Sequence, residues 1–415
     1  MSWVDRELQE MHLGDERLLD FRTMFACART LLENSETRDP RHLSGLLSLH
    51  SPDWHSFLDL LHENRLTPVA YRALRTLSVS EPNINALCDA LKQRWQQNSA
   101  LMLKVSAELV RLVRRFSENA IRVVAFKGPA LAMQIYNQIN MRSCGDLDFL
   151  VWPDDYERAE RLLLQDGYTY LPGEVAFKRS VVRKPLTPHT CLVHQQNHTH
   201  VEIHFALLHE TDSSAFNFDD LWGGRVFVPV ANSTVPTLPL PLHALYLTIH
   251  GEAHGWGRLG WLYDVAAIVG RMSPEEIAGL IVLAEGYGQK IRLMNALLLT
   301  HLLFGLNNIP DGVRARMSNS SVRAYVKLAL QMTTAPVERP ERPLGHRYWL
   351  KKRIGWTGCA TAREKWRRLA VFFMPIASDI VRFPLPDRLY GLHYFLRPFW
   401  ALKRKVDLLL KQPKQ

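Results

Sequence analysis

Two short stretches of this chain carry acids where an apolar strand has no use for them. In "GDLDFLV" (145–151), Asp146 and Asp148 alternate with Leu147, Phe149 and Val151. The two-residue period of a strand sends the acids to one face and the apolar side chains to the other. In "HTHVEIHFALL" (198–208), Val201, Ile203 and Phe205 alternate in the same way with His200, Glu202 and His204. Carboxylates sharing one face repel, and burying them without a cation is costly. If the two strands lie side by side, Glu202 joins Asp146 and Asp148. Three clustered carboxylates suit Mg²⁺ or Mn²⁺, hard ions that prefer oxygen ligands. Two such ions orient a nucleoside triphosphate and stabilise an in-line displacement at phosphorus.

The segment upstream supplies what a phosphate needs. The strand "IRVVAF" runs straight into "KGPALAMQIYNQI", where Gly128 makes a tight turn and Pro129 suits the first helical position. The first backbone N–H groups of that helix can hold phosphate oxygens. Lys127 and Arg142 add cationic partners for a triphosphate.

Histidine offers a competing chemistry. Nine of the 17 histidines lie between His189 and His254. His243, His250 and His254 are spaced so that one helix face can carry all three, and an i, i+4 pair such as His250 and His254 can bind zinc. "HGEAH" is not the HExxH arrangement of a metalloprotease. The other expectation is that these histidines, with Trp256 and Asp264, pack a helical cap onto the catalytic region, or that His204, His250 and His254 line its pocket. Neither GxSxG nor GxxxxGK[ST] occurs, which disfavours an α/β-hydrolase and a P-loop NTPase. Cys144 reads as structural.

The pieces "FKGPAL", "GDLDFLV", "AERLLLQDGY", "VEIHFALL" and "LTIHGEAHGWGRLGWLYDVAAIV" resemble an uncharacterised bacterial nucleotidyltransferase family of the polymerase-β-like superfamily. The resemblance runs from about Trp54 to Asn307 and is densest between Phe126 and Asp264. It implies an α+β fold, a mixed-sheet nucleotidyltransferase core flanked by helical segments. It further implies Asp146 and Asp148 as metal ligands, Glu202 as the third acid, and Lys127 and Gly128 in the phosphate-binding turn. The turn departs from the superfamily's usual Gly-Ser or Gly-Gly, having Gly128-Pro129 instead. The implied activity is transfer of a nucleoside monophosphate from an NTP, such as ATP, to an acceptor (protein, RNA or small molecule). The alternative is a non-catalytic member that binds a nucleotide or partner.

The elements that must hold this site follow from periodicity and length. A chain of 415 residues predicts more than one core. Residues 1–118 repeat apolar positions at helical spacing, 119–232 mix strands with helices, and 233–334 return to helical spacing as a cap. Strands are expected at "IRVVAF", "DLDFLV", "GYTYL", "AFKRSVV", "TCLVHQ" and "HTHVEIHFALL". "APVERPERPLGHR" reads as a linker into a basic, aromatic region, 335–415.

Charge separates that region from the body. From Glu338 to the C-terminus there are 18 Lys/Arg and 6 Asp/Glu, a net of +12, so the remaining 33 Lys/Arg and 35 Asp/Glu leave the body at −2. Trp and Phe interleaved with Lys and Arg over 345–411 suit an anionic membrane surface. The same mixture can contact nucleic acid or dock on the body with its charges solvated. The five cysteines show no CxxC spacing, there is no secretory h-region, and no run is long enough to span a bilayer. The expected location is therefore the cytoplasm, with peripheral contact at the inner membrane face.

Overall fold

The computed structural model describes residues 3–35, 40–51, 53–77, 81–171, 189–207, 218–337 and 345–359, and in the C-terminal part 362, 365–366, 369, 373, 383, 385–389 and 391–410. The expected strand "AFKRSVV" lies outside these residues, as does part of the expected linker.

The chain opens with helices α1 (Trp3–Glu10), α2 (Asp15–Leu31), α3 (Pro40–Leu47), α4 (His55–Glu63), α5 (Thr67–Leu74) and α6 (Pro82–Glu118). The α+β part follows as β1 (Val123–Ala125), α7 (Gly128–Tyr136), β2 (Asp146–Val151), α8 (Tyr156–Gln165), β3 (Tyr168–Tyr170), β4 (His189–His194), β5 (His200–His204), α9 (Phe218–Gly223), β6 (Val226–Val230) and β7 (Ser233–Thr237). Helices then resume as α10 (Leu240–Ala253), α11 (Leu259–Val269), α12 (Pro274–Gly286), α13 (Lys290–Phe304), α14 (Asp311–Arg314), α15 (Ser320–Thr334), α16 (His346–Thr357) and α17 (Leu392–Leu410).

The sheet that carries the acids has the order β1-β2-β5-β4-β3. The β2–β5 pair is parallel and the other pairs are antiparallel, so this is a mixed sheet flanked by helices, the expected class. Leu147, Phe149, Val151, Val201 and Ile203 face a core shared with Met102, Val105, Leu109, Leu112 and Phe116 of α6. Those α6 positions recur every three or four residues, which brings them onto one helix face. The Phe116 ring meets Phe149 edge-on at 5.3 Å. Burying one sheet face against α6 turns the other, acid-bearing face toward α7 and α10.

A second core joins what the sequence separates. Leu8, Phe21, Phe57, Leu61 and Leu87 of the N-terminal helices pack in one cluster with Leu245, Leu262, Leu297 and Tyr325 of the C-terminal helices. The two helical regions thus form a continuous frame around the sheet.

The hairpin β6–β7 was not anticipated, and it straddles the expected boundary at 232/233. It pairs Val230 with Ser233 across a two-residue turn, with Ala231 at φ +52°. Val228, Val230 and Val235 bury into the sheet core, an alternation readable in "VFVPV". Beyond the linker, α16 docks on the body through buried Leu350 and Ile354, while Trp349 and Trp356 remain exposed. No helix among the described residues is long and apolar enough to cross a membrane.

Candidate active site

The register across β2 and β5 sets the site. Asp146 lies opposite His200 and Asp148 opposite Glu202. The antiparallel β4 then brings His189 opposite His204 and Cys191 opposite Glu202. Period-two alternation therefore collects Asp146, Asp148, Glu202, His204, His189 and Cys191 on one face. The structure brings Asp148 and Glu202 together as the sequence suggests. It adds His189 and Cys191, which the sequence reading did not single out.

Asp148 is the most constrained of these groups. It is buried, and Lys127 Nζ donates to its Oδ1 at 2.7 Å. His204 Nε2 lies 3.3 Å from the same oxygen and 3.3 Å from Glu202 Oε2. Burial opposes the charged carboxylate, but the Lys127 ammonium and His204 outweigh it and hold Asp148 below the usual range. Lys127 is driven up: its burial is more than offset by the Asp148 charge. Burial also disfavours the charged His204 ring, yet the carboxylates of Asp148 and Glu202 raise its pKa. Glu202 is lowered because His204 overcomes the effect of burial. Asp146 goes the other way, raised by burial and then by repulsion from Asp148.

Two donor groups have ligand atoms within 4.8 Å of one another among the described residues: Asp148/Glu202/His204, and His189/Cys191/Glu202. Asp146 belongs to neither, so the close set contains His204 where the sequence reading has a third carboxylate. Asp148 Oδ2 is buried and accepts no hydrogen bond among the described residues. That lone pair, the crowding that raises Asp146, and a donor set rich in oxygen all fit a divalent cation. Burial pushes the His189 pKa down to about 4, leaving a neutral imidazole. The zinc trio fails on geometry, because His243 turns away from the other two. Its Nδ1 is 2.6 Å from Gln134 Oε1 and its Nε2 2.8 Å from the Phe126 carbonyl. His243 packs the cap onto the core, the alternative role foreseen for it.

The turn before α7 is built from the other predicted residues. Gly128 sits at φ +56°, a left-handed conformation that favours glycine. Arg142 does not stand free toward a phosphate. Its Nε donates to Asp264 Oδ2 at 2.9 Å, its terminal nitrogen approaches the same oxygen at 2.8 Å, and it also donates to the Gly128 carbonyl at 3.3 Å. Tyr136 Oη donates to Asp264 Oδ1 at 2.7 Å. Asp264 on α11 thus ties the cap to the turn through two core side chains. Burial pushes the Cys144 thiol up to about 12, in keeping with a structural role.

These groups open onto a cavity of about 690 Å³, inside the ~300–1,000 Å³ range of small-molecule sites. Lys127, Gly128, Arg142, Asp146, Glu202 and His204 line it, as do His250 and His254. The sequence reading missed Arg65 from the α4–α5 junction, Arg258 from the α10–α11 junction, Trp261 from the first turn of α11, and Lys351 from α16. Arg258 and Trp261 lie within "LTIHGEAHGWGRLGWLYDVAAIV", but nothing local marks them as cavity residues; they meet Arg65 because the two helical regions share a core.

No curated protein matches the chain. A family model described as "Uncharacterised nucleotidyltransferase" matches residues 50–305, which include every acid and turn residue described above. The match covers more than half of the sequence, and the chain belongs to this nucleotidyltransferase family.

Proposed function

We propose that this protein transfers a nucleoside monophosphate from an NTP to an acceptor, in a Mg²⁺- or Mn²⁺-dependent reaction that releases pyrophosphate. The observation that carries the reading is the pairing of buried Asp148 with Glu202, which lines the cavity, in a chain of this family. Asp148 and Glu202, with His204 3.3 Å from each, would hold the metal, and Asp146, outside that close set, would approach it from the same sheet face. When bound, the metal supplies positive charge that stabilises the anionic transition state. The acceptor's hydroxyl oxygen attacks the α-phosphorus, the bond from that phosphorus to the pyrophosphate oxygen breaks, and Glu202 takes the hydroxyl proton. Gly128 lets the turn approach the phosphates, and Lys127 lies at its start. Arg142 acts from behind the turn, since its charge is engaged by Asp264.

One observation favours the alternative reading of a nucleotide- or partner-binding protein. Lys127 already neutralises Asp148 at 2.7 Å, the role a metal would otherwise fill. A membrane partner is a further part of the proposal. On α17, Leu392, Phe395, Phe399 and Leu402 are exposed at spacings of three and four, a single stripe in a basic segment. None of the five cysteines is in a disulfide, as suits a cytoplasmic setting.

The test incubates purified protein with each α-³²P-labelled NTP, Mg²⁺ or Mn²⁺, and a cell extract, beside Asp148→Asn. Asparagine is the closer variant in shape and its amide oxygen can still accept from Lys127; because it also removes the counter-charge of that buried ammonium, the fold of the variant is checked by circular dichroism beside the assay. Label transferred by the wild type alone supports the reading and tags the acceptor. NTP-dependent stabilisation without transfer or NTP consumption would shift it to the binding-only alternative.

A further inference from the structure

Six cationic side chains line the cavity (Arg65, Lys127, Arg142, Arg258, Arg347 and Lys351) against two carboxylates, Asp146 and Glu202. Lys127, Arg142 and Arg347 are held by partners that the fold itself supplies. Lys127 pairs with Asp148 and Arg142 with Asp264. Arg347 donates to the carbonyls of Met332, Ala335 and Gly257 and so clamps α16 to the body. The cations expected to meet a triphosphate are therefore largely spent. Arg65 and Arg258 stand on the cavity wall made by the helical frame.

Arg65 is one of eight non-glycine residues at positive φ among the described residues, and its placement costs stability. Helix α4 ends with Asn64 as its cap, and Arg65 follows at φ +59°. Arg65 N donates to the His62 carbonyl at 3.1 Å and Leu66 N to the Leu61 carbonyl at 2.9 Å. This is the reverse turn that closes helices, and its left-handed position normally takes glycine. An L-residue there costs about 1–2 kcal/mol. The chain accepts that cost at a residue that lines the cavity, where its Nη1 donates to the Ser143 carbonyl at 3.4 Å, just before the acid strand.

Arg258 is brought to the same wall by a specific junction. Gly260 N donates to the Asn64 carbonyl at 2.8 Å, and Leu259 N donates to Asn64 Oδ1 at 3.2 Å. These bonds dock the start of α11 onto the turn that carries Arg65. The Arg258 guanidinium lies 5.5 Å from the Trp261 ring centroid, on the exposed side of the junction. The two arginines are close enough for their like charges to oppose each other, and burial with that repulsion lowers Arg65. Two guanidinium groups on one cavity wall, which also carries Asp146, offer an anion of more than one charge two forked donors.

We propose that Arg65 and Arg258 form a polyphosphate subsite that receives the β- and γ-phosphates of the NTP, the part that leaves as pyrophosphate. This deepens the nucleotidyl-transfer reading and rests on it for the identity of the ligand. Lys351, on the same wall, marks the outer limit of the subsite. The frame built by α4–α5 and α10–α11 thereby becomes part of the substrate site.

The experiment is calorimetric titration of the full-length protein with inorganic tripolyphosphate and with orthophosphate, in EDTA, so that neither transfer nor metal contributes. The wild type is expected to bind tripolyphosphate well above orthophosphate, and Arg65→Gln and Arg258→Gln to weaken tripolyphosphate about 10-fold or more each, the range of a charged hydrogen bond. Arg6→Gln, an exposed cation on α1, serves as the control and should bind as the wild type does. Arg65→Gly separates structure from binding: it should keep or raise the melting temperature while losing affinity. Failure of the wild type to bind tripolyphosphate would overturn the subsite, as would unchanged affinity in both glutamine variants. Equal affinity for orthophosphate would reduce it to a single-phosphate site and overturn it too. Arginine-dependent binding in a protein that transfers no label would uphold the subsite while the transfer reading falls.

Discussion

Asp264→Asn is the substitution that most directly tests how the cap is tied to the catalytic turn. The wild-type carboxylate accepts from Tyr136 Oη at 2.7 Å and Arg142 Nε at 2.9 Å, with a further Arg142 nitrogen at 2.8 Å. The side chains of Arg142 and Asp264 are 11% and 5% exposed, so water cannot replace what is lost. Asparagine keeps the shape but turns an N–H₂ donor toward donors and leaves a buried guanidinium without its counter-charge. Removing one partner of a buried pair costs about 3–5 kcal/mol. An unfolding entropy of ~2.1 cal/mol/K per residue amounts to roughly 0.9 kcal/mol/K if the whole chain melts together. The melting temperature should then fall by about 3–6 °C in calorimetry or circular dichroism. A double-mutant cycle isolates the pair: Arg142→Met with Asp264→Leu should recover most of the loss, because the stranded charge has gone. A shift below 1 °C for Asp264→Asn would refute the claim that this ion pair carries the docking of α11 on the turn. Failure of the double variant to recover would instead place the cost in packing.

Two other expectations concern the frame. Gly251→Ala would set a methyl group 2.1 Å from the Trp256 ring, which is buried and donates to Tyr325 Oη at 2.8 Å; overpacking of that kind costs about 1–3 kcal/mol, and a chemical-denaturation midpoint unchanged from wild type would contradict it. The cluster Arg111, Arg115, Glu108 and Asp166 ties α6 to the end of α8 through bonds of 2.7–2.9 Å. Burial opposes the Glu108 and Asp166 carboxylates, but the arginines outweigh it and lower both. Their stabilisation is complete above the unfolded values near 4 and is lost as pH falls through the lowered folded values. The melting temperature should therefore drop below about pH 4, and Glu108→Gln with Asp166→Asn should flatten that dependence.

The chemistry-bearing strands were legible from residue order alone. The alternation in "GDLDFLV" and "HTHVEIHF" specifies which side chains share a face, because a strand's geometry leaves two options and burial chooses between them. The Gly128 turn was legible for a similar reason: few residues besides glycine suit its φ. The later helices were equally plain from their apolar period. What the sequence left open was which strands are neighbours and which charges meet. The parallel pairing of β2 with β5 places Glu202 beside Asp148, and β4 then adds His189 and Cys191 from a separate strand. Arg142 looked like a phosphate ligand until Asp264, 122 residues away, claimed its guanidinium. For His243 the residues left two roles open, a partner of His250 and His254 or packing of the cap, and its ring contacts with Gln134 and Phe126 decide for packing. Arg65 carried no signal, since its value lies in a left-handed turn and in contact with a helix from the other end of the chain. Local residue types limit what a strand or turn can do, but the pairing of charges depends on distances that only long-range packing sets.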